Sequence, residues 1–201
     1  MSHKLTILLV AALIAMAAAG TSRRGATASH KSLATADTPY FPADKPYAII
    51  YKEQMELCVY DSSGAEVRRY GIACGRNVGD KQRAGDMRTP VGMFKVLEVL
   101  DAHTWKHDFG DGKGVIAGAY GPRFVRLVTG HNGIGIHGTH DESSIGKLAT
   151  EGCIRLHNAD ILEFATKFAY KGMPVIIMPS TADIIHDQFP VADPEAADSI
   201  E

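Results

Sequence analysis

The sequence predicts a mainly β domain with one principal helix packed beside a cysteine-bearing loop. Three observations carry that expectation. Apolar residues run or alternate over strand-length stretches from about Tyr47 to Met178. Turn-forming pairs, above all Asn132-Gly133, separate such stretches as hairpin connections do. Helical spacing of apolar residues emerges clearly only once.

Each element follows in order. "YAIIYK" and "MELCVYD" are strand-like, and "SSG" at 62–64 is a turn. "AEVRRYGIAC" then returns as the partner strand, which sets Cys58 opposite a residue near Arg68. "GMFKVLEVL" is a further strand. Residues 101–121, "DAHTWKHDFGDGKGVIAGAYG", read as a long loop, and loops of that length are usually functional, here a mobile flap. "RFVRLVT" and "IGIHG" flank the tight turn "GHNG". In "ADILEFATKFAY", Ile161, Leu162, Ala165, Phe168 and Ala169 recur at helical spacing. Asp160 with Glu163 offers a capping box and Asn158 a competing cap, while Gly172 and Pro174 end the helix. "PVIIM" is the last strand.

The two ends differ from this body. Residues 1–20 carry Lys4, an apolar run from Leu5 to Met16 and small residues at Ala17, Ala18 and Ala19, the layout of a secretory signal peptide. The run is shorter than the roughly 20 residues that cross a bilayer. An exported protein of the periplasm or cell envelope is therefore expected, with no stable membrane span after cleavage. Residues 21–45, rich in Ser, Thr, Ala and Pro, read as a flexible linker. Residues 180–201 hold Asp183, Asp187, Asp193, Glu195, Asp198 and Glu201 without one Lys or Arg, the composition of a solvated acidic tail. One domain remains, 46–179, of ordinary size. A net charge of −2 without a basic stripe argues against a nucleic-acid partner.

Chemistry concentrates in "KLATEGCIRLHNAD", residues 147–160. Cys153 could be a small buried hydrophobe, a metal ligand or a nucleophile. Cys58 and Cys74 lie on the two arms of the 62–64 hairpin, where a regular register separates them by ~20 Å. That is beyond disulfide reach, so both are expected as inert, packed thiols. Of the nine histidines, His137 ends the strand "IGIHG", where flanking glycines let another group approach closely. A structural role is open to it as well as a chemical one. His137, His140, Cys153 and His157 are conceivable zinc ligands. Yet H-x-x-H on a glycine turn lacks the helical spacing of metalloproteases, and C-x-x-x-H is unlike the tight ligand pairs of structural zinc sites. No metal is expected. A nucleophile asks only for one histidine beside the cysteine, whose imidazolium would favour the thiolate. Gly152 would let backbone N–H groups face an oxyanion, and Arg155 would offer a fork to a carboxylate. Glu151 is an awkward neighbour, because a carboxylate aimed at the thiol opposes thiolate formation. With Cys153 as nucleophile, the Glu151 side chain should point away from the sulfur, toward solvent or an acceptor entrance.

"IGIHGTHDESSIGKLATEGCIRLHNAD" is similar to the signature of the YkuD-type L,D-transpeptidases: His-Gly-Thr, S-I-G, [S/T]-x-G-C-[I/V]-R, then Asn-x-Asp. "GDMRTPVGMFKV" resembles the family's T-P-x-G-x-F segment and "YGPRFVRL" also fits, so the resemblance covers about 46–179. It implies an L,D-transpeptidase-type β-sandwich that needs no metal or other cofactor. It further implies Cys153 as nucleophile, His137 as its base and the Gly138 carbonyl as the group orienting the imidazole. Gly152 and Cys153 would supply oxyanion N–H groups, with Thr150, Thr139 and Arg155 at the substrate. In the flap, Trp105 and Tyr120 would line the substrate channel. The implied reaction is acyl transfer on peptidoglycan stem peptides. A tetrapeptide forms a thioester and loses D-alanine. An amine of a second stem, a wall-linked protein or a D-amino acid then resolves it. Water as acceptor would make the enzyme an L,D-carboxypeptidase or amidase, and "NVGDKQRAGDMRTP" resembles a stretch of family members that act as amidases on wall-linked lipoproteins. A non-catalytic wall-binding module is the alternative outside enzymes.

Overall fold

Apolar alternation builds the sheet strand by strand. The computed structural model describes residues 41–42 and 44–189. The expected signal peptide, nearly all of the linker and residues 190–201 of the acidic tail lie outside the described residues. The strands are β1 (Tyr47–Tyr51), β2 (Glu56–Tyr60), β3 (Glu66–Gly71), β4 (Cys74–Gly75), β5 (Gly92–Asp101), β6 (Lys106–Asp108), β7 (Val115–Ala117), β8 (Arg123–Val128), β9 (Gly135–His137), β10 (Leu148–Thr150), β11 (Ile154–Arg155) and β12 (Pro174–Met178). Two α-helices, α1 (Asn158–Lys167) and α2 (Thr181–Gln188), and a short 3-10 turn at Glu142–Ser144 complete the described chain. The mainly β class holds. Eight strands form one curled sheet in the order β11-β9-β8-β5-β12-β1-β2-β3, and β4–β10 and β6–β7 form two-stranded ladders.

Strands in the middle of this sheet are apolar on both faces because both are covered. In β1, β2 and β12, Ile50, Leu57, Val59, Val175 and Ile177 point into the main core, while Ile49, Cys58, Tyr47 and Tyr60 form a smaller cluster on the other face. α1 packs across β8 and β9 through Ile161, Phe164 and Ala165, with the Phe164 ring 6.2 Å from that of Tyr70. Burying a side chain of Phe164's size contributes about 1.5–3 kcal/mol. The helical face thus differs from the expected one: Phe164 is fully buried and Leu162 is 42% exposed. The cap differs too. His157 occupies the N-cap without a side-chain capping bond, and Glu142 serves from another loop, accepting from the Asn158 N–H at 3.1 Å. A carboxylate is favoured there by the unpaired N–H groups and dipole of the helix start.

The β2–β3 register sets Cys58 opposite Arg69, next to Arg68 as expected, with a one-residue shift of the ladder beyond Val59. Cys58 and Cys74 are free and buried, as inert packed thiols should be. Two further expectations are corrected. The segment 101–121 is not loop throughout, since β6 and β7 pair within it as a small hairpin. Residues 181–188 are not a solvated tail but α2, started by a reciprocal capping box between Ser180 and Asp183. Asp183 is 1% exposed and bonds the Lys52 ammonium at 2.8 Å, so the acidic run carries a buried ion pair. Among the described residues, no helix is long and apolar enough to cross a membrane.

Candidate active site

The site forms where β9 and β11 run side by side. Their parallel register pairs Ile136 with Ile154 and His137 with Arg155. Cys153 lies in the bend immediately before β11, two residues from Arg155. The Cys153 thiol donates to the Gly133 carbonyl at 3.2 Å and is also reached by the Gly135 N–H. It therefore sits at the head of β9, with the His137 ring two residues further along.

His137 is buried between rings, stacked on Phe124 at 5.5 Å and met edge-on by Tyr120 at 4.9 Å. Its Nδ1 lies 2.6 Å from the Gly138 carbonyl. A carbonyl only accepts, so Nδ1 carries the proton and Nε2 is the free base. Burial, with Arg155, His140 and His107 nearby, lowers the imidazole pKa to about 3 against the opposing pull of the Gly138 bond. Burial and the Glu151 carboxylate push the half-buried Cys153 thiol up to about 11, offset in part by the Gly135 N–H, Lys81 and Arg155. At neutral pH the proton stays on sulfur. The pair rests neutral, not as the thiolate and imidazolium that the sequence suggested.

The cysteine loop is pinned from both sides. Thr150 Oγ1 donates to the Cys153 carbonyl at 2.6 Å and accepts from the Gly152 N–H at 3.1 Å. Gly152 has φ +127°, and a side chain there would meet the Arg88 carbonyl at 2.6 Å. Only glycine fits. Its N–H is already engaged by Thr150 and does not face the thiol's substrate side unpartnered. Thr139 lies in the turn after β9, its N–H donating to Asn158 Oδ1 at 2.8 Å and its hydroxyl to the Asp141 carbonyl at 3.0 Å. Asn158 returns a bond to the Thr139 carbonyl at 2.9 Å. A side chain on Gly138 would strike the same Asn158 oxygen at 2.3 Å. The bare backbone beside His137 thus admits Asn158, the first residue of α1, and that contact fixes the carbonyl orienting the imidazole.

The model of the YkuD family, described as the L,D-transpeptidase catalytic domain, matches residues 45–177. The chain belongs to that family. YkuD of Bacillus licheniformis is 49% identical to this chain over 49 residues, covering 24% of this chain and 28% of its own length. YqjB of Bacillus subtilis is 32% identical over 124 residues, covering 60% of this chain and 64% of its own length. These matches span less than two thirds of either relative. Among solved structures, the helical cell shape determining protein Pgp2 from Campylobacter jejuni superposes with a TM-score of 0.50 at 26% identity, over 68% of this chain and 49% of that one.

Beside His137 and Cys153 of this YkuD-family chain, Arg155 is 4% exposed and donates to Ser144 Oγ at 2.9 Å, with its guanidinium 5.9 Å from the Phe109 ring centre. Its Nε has no partner, and no carboxylate lies within ion-pair distance of it among the described residues. Burial lowers its pKa from the usual guanidinium value. From the flap, Trp105 packs on Phe124 at 5.4 Å and on Tyr120 at 6.0 Å. The Tyr120 hydroxyl is pushed up to about 12 by burial and by the nearby Cys153 and Glu151. The four conceivable zinc ligands are dispersed onto other partners: His140 faces the Ala119 carbonyl at 3.4 Å and His157 pairs with Glu142 at 3.2 Å.

Sequence reasoning missed two groups. His107 Nε2 lies 2.9 Å from Glu151 Oε2, joining β6 to the cysteine loop. Nothing local marks His107, because its partner is 44 residues away. Lys81, 6% exposed and paired with Asp86 at 2.7 Å, approaches Cys153 from the 76–91 segment. In the sequence that segment stood out through its resemblance to family stretches, which assigned no role to Lys81.

Proposed function

We propose that the protein is a cysteine-dependent peptidoglycan L,D-transpeptidase of the cell envelope, exported by the signal-like segment at 1–20. Cys153 is the nucleophile and His137 its general base. The carrying observation is the Nδ1 contact of His137 with the Gly138 carbonyl, which leaves Nε2 unprotonated on the strand paired with the one that Cys153 leads into. Proton transfer is concerted with attack, since both groups rest uncharged. The sulfur attacks the carbonyl between the third residue and the terminal D-alanine of a stem tetrapeptide, and its proton passes to His137. The oxyanion meets the N–H of Cys153, Gly152's being committed to Thr150. His137 then protonates the leaving amine, D-alanine departs and a thioester remains. An amine acceptor resolves it to give a 3→3 cross-link or an attached partner. Arg155, a buried cation without a carboxylate partner among the described residues, suits the carboxylate of the donor stem.

Tetrapeptide muropeptides supplied with and without an amine acceptor, followed by mass spectrometry, test this reading. Cross-linked dimers and free D-alanine are expected. Tripeptide and D-alanine alone would make the enzyme a carboxypeptidase. A Cys153→Ala variant should lose product by at least about 10³-fold, as removal of a covalent nucleophile does. A variant that turns over like the parent rejects the assignment.

A further inference from the structure

Two opposite charges flank the thiol in "EGCIR": Glu151 two residues before Cys153 and Arg155 two residues after. They differ in setting. Arg155 is buried, whereas the side chains of Glu151 and His107 are 33% and 30% exposed, so their pair is open to solvent. His107 is itself held by rings, Phe109 at 4.5 Å and Tyr120 at 5.7 Å. It takes Glu151 Oε2 and leaves Oε1 without a partner among the described residues. Glu151 acts on both Cys153 and Tyr120 electrostatically, which sets its charge beside the reacting sulfur.

The geometry points to the Glu151–His107 pair as the recognition site for a cationic amine acceptor. This inference rests on the thioester reading above. A donor stem ends in a carboxylate and suits Arg155, while a primary-amine acceptor arrives as an ammonium and suits Glu151, so charge sorts the two substrates to opposite sides of one thiol. The ammonium donates a hydrogen bond to Glu151 and gives up one proton to the pair. The resulting amine attacks the thioester carbonyl, the new C–N bond forms and the C–S bond breaks. The second amine proton passes through His137 to the departing Cys153 sulfur, restoring the thiol, and the Glu151–His107 pair returns its proton to water.

The test compares two nucleophiles for one thioester: a cationic diamino acid and hydroxylamine, which is uncharged near neutral pH. The ratio of the two products is internal to each sample and does not depend on how much of a variant is folded. Glu151→Gln keeps an oxygen for His107 but no charge. It should lower the diamino-acid to hydroxylamine ratio about tenfold, the scale of a hydrogen bond to a charged group. Glu151→Asp, which restores the charge, should recover most of the parent ratio. An unchanged ratio in Glu151→Gln, or equal shifts in the Gln and Asp variants, overturns the inference and leaves the thioester reading intact. A parent enzyme that forms no thioester by intact mass overturns both.

Discussion

Burial sets the chemistry of the two central residues more than charge does. The His137 imidazole is held near 3 and the Cys153 thiol near 11, each on the side that keeps it neutral. The base is competent wherever His137 is unprotonated, which on this value is everything above about pH 3. Acylation by a carbapenem, measured as kcat/KM against pH, should therefore show no acidic limb near 6.5, the ordinary histidine value. Alkylation of Cys153 by iodoacetamide should keep rising well past pH 8.5 as the thiolate fraction grows. A plateau reached below pH 8, or adduct confined to Cys58 or Cys74, would contradict this account. His137 and Cys153 were legible because both stand in short, glycine-flanked stretches. Their protonation was not, because burial depends on Phe124 and Tyr120 stacking from other segments. Glu151 is bonded to His107 and not to the sulfur, yet its carboxylate still raises the thiol pKa.

At the scale of elements, local patterns gave the strands and α1, and distant partners decided what they missed. Asn158 looked like a cap because Asn suits that position, yet its amide is claimed by Thr139 across 19 residues. α2 was invisible for a similar reason. Ile184 and Ile185 are exposed, so no apolar stripe marks the helix, and its anchor is Lys52 on the far side of the sequence. Burial raises the Asp183 pKa, but Lys52 and the Ser180 N–H and hydroxyl outweigh it, and the net shift is downward. A depressed carboxylate contributes stability above its unfolded value, ~3.9, and loses it as pH falls through the lower folded value. Asp183→Asn leaves the Lys52 ammonium buried without its counter-charge, at a cost of about 3 kcal/mol. For a domain of this size that corresponds to roughly 6–12 °C in thermal unfolding at pH 7. The gap between variant and parent should narrow below about pH 3.9. A variant that melts with the parent at pH 7 would show that the pair does not anchor the helix.

At the scale of the whole molecule, α2 is joined to the site through one continuous set of contacts. Asp183 accepts from the Gly79 N–H at 2.7 Å, Asp187 from the Asp80 N–H at 3.1 Å, and His186 meets Arg88 at 3.1 Å. The Arg88 carbonyl in turn abuts Gly152, beside Cys153. The family match ends at residue 177, so this support lies beyond the shared domain and could not be read from the motif. A chain ending at Pro179 would strip Lys52 of its counter-ion and free the 79–88 segment, whereas a chain ending at Phe189 keeps every contact just named. The shorter chain should melt lower than Asp183→Asn does, because it loses the Gly79, Asp80 and Arg88 contacts as well. Its Cys153 should also acylate more slowly at temperatures where it remains folded, since the carbonyl that packs on Gly152 has lost its backing. The longer chain should match the parent in both respects. Equal melting and equal acylation for the two truncations would mean that α2 rides on the fold without supporting the site.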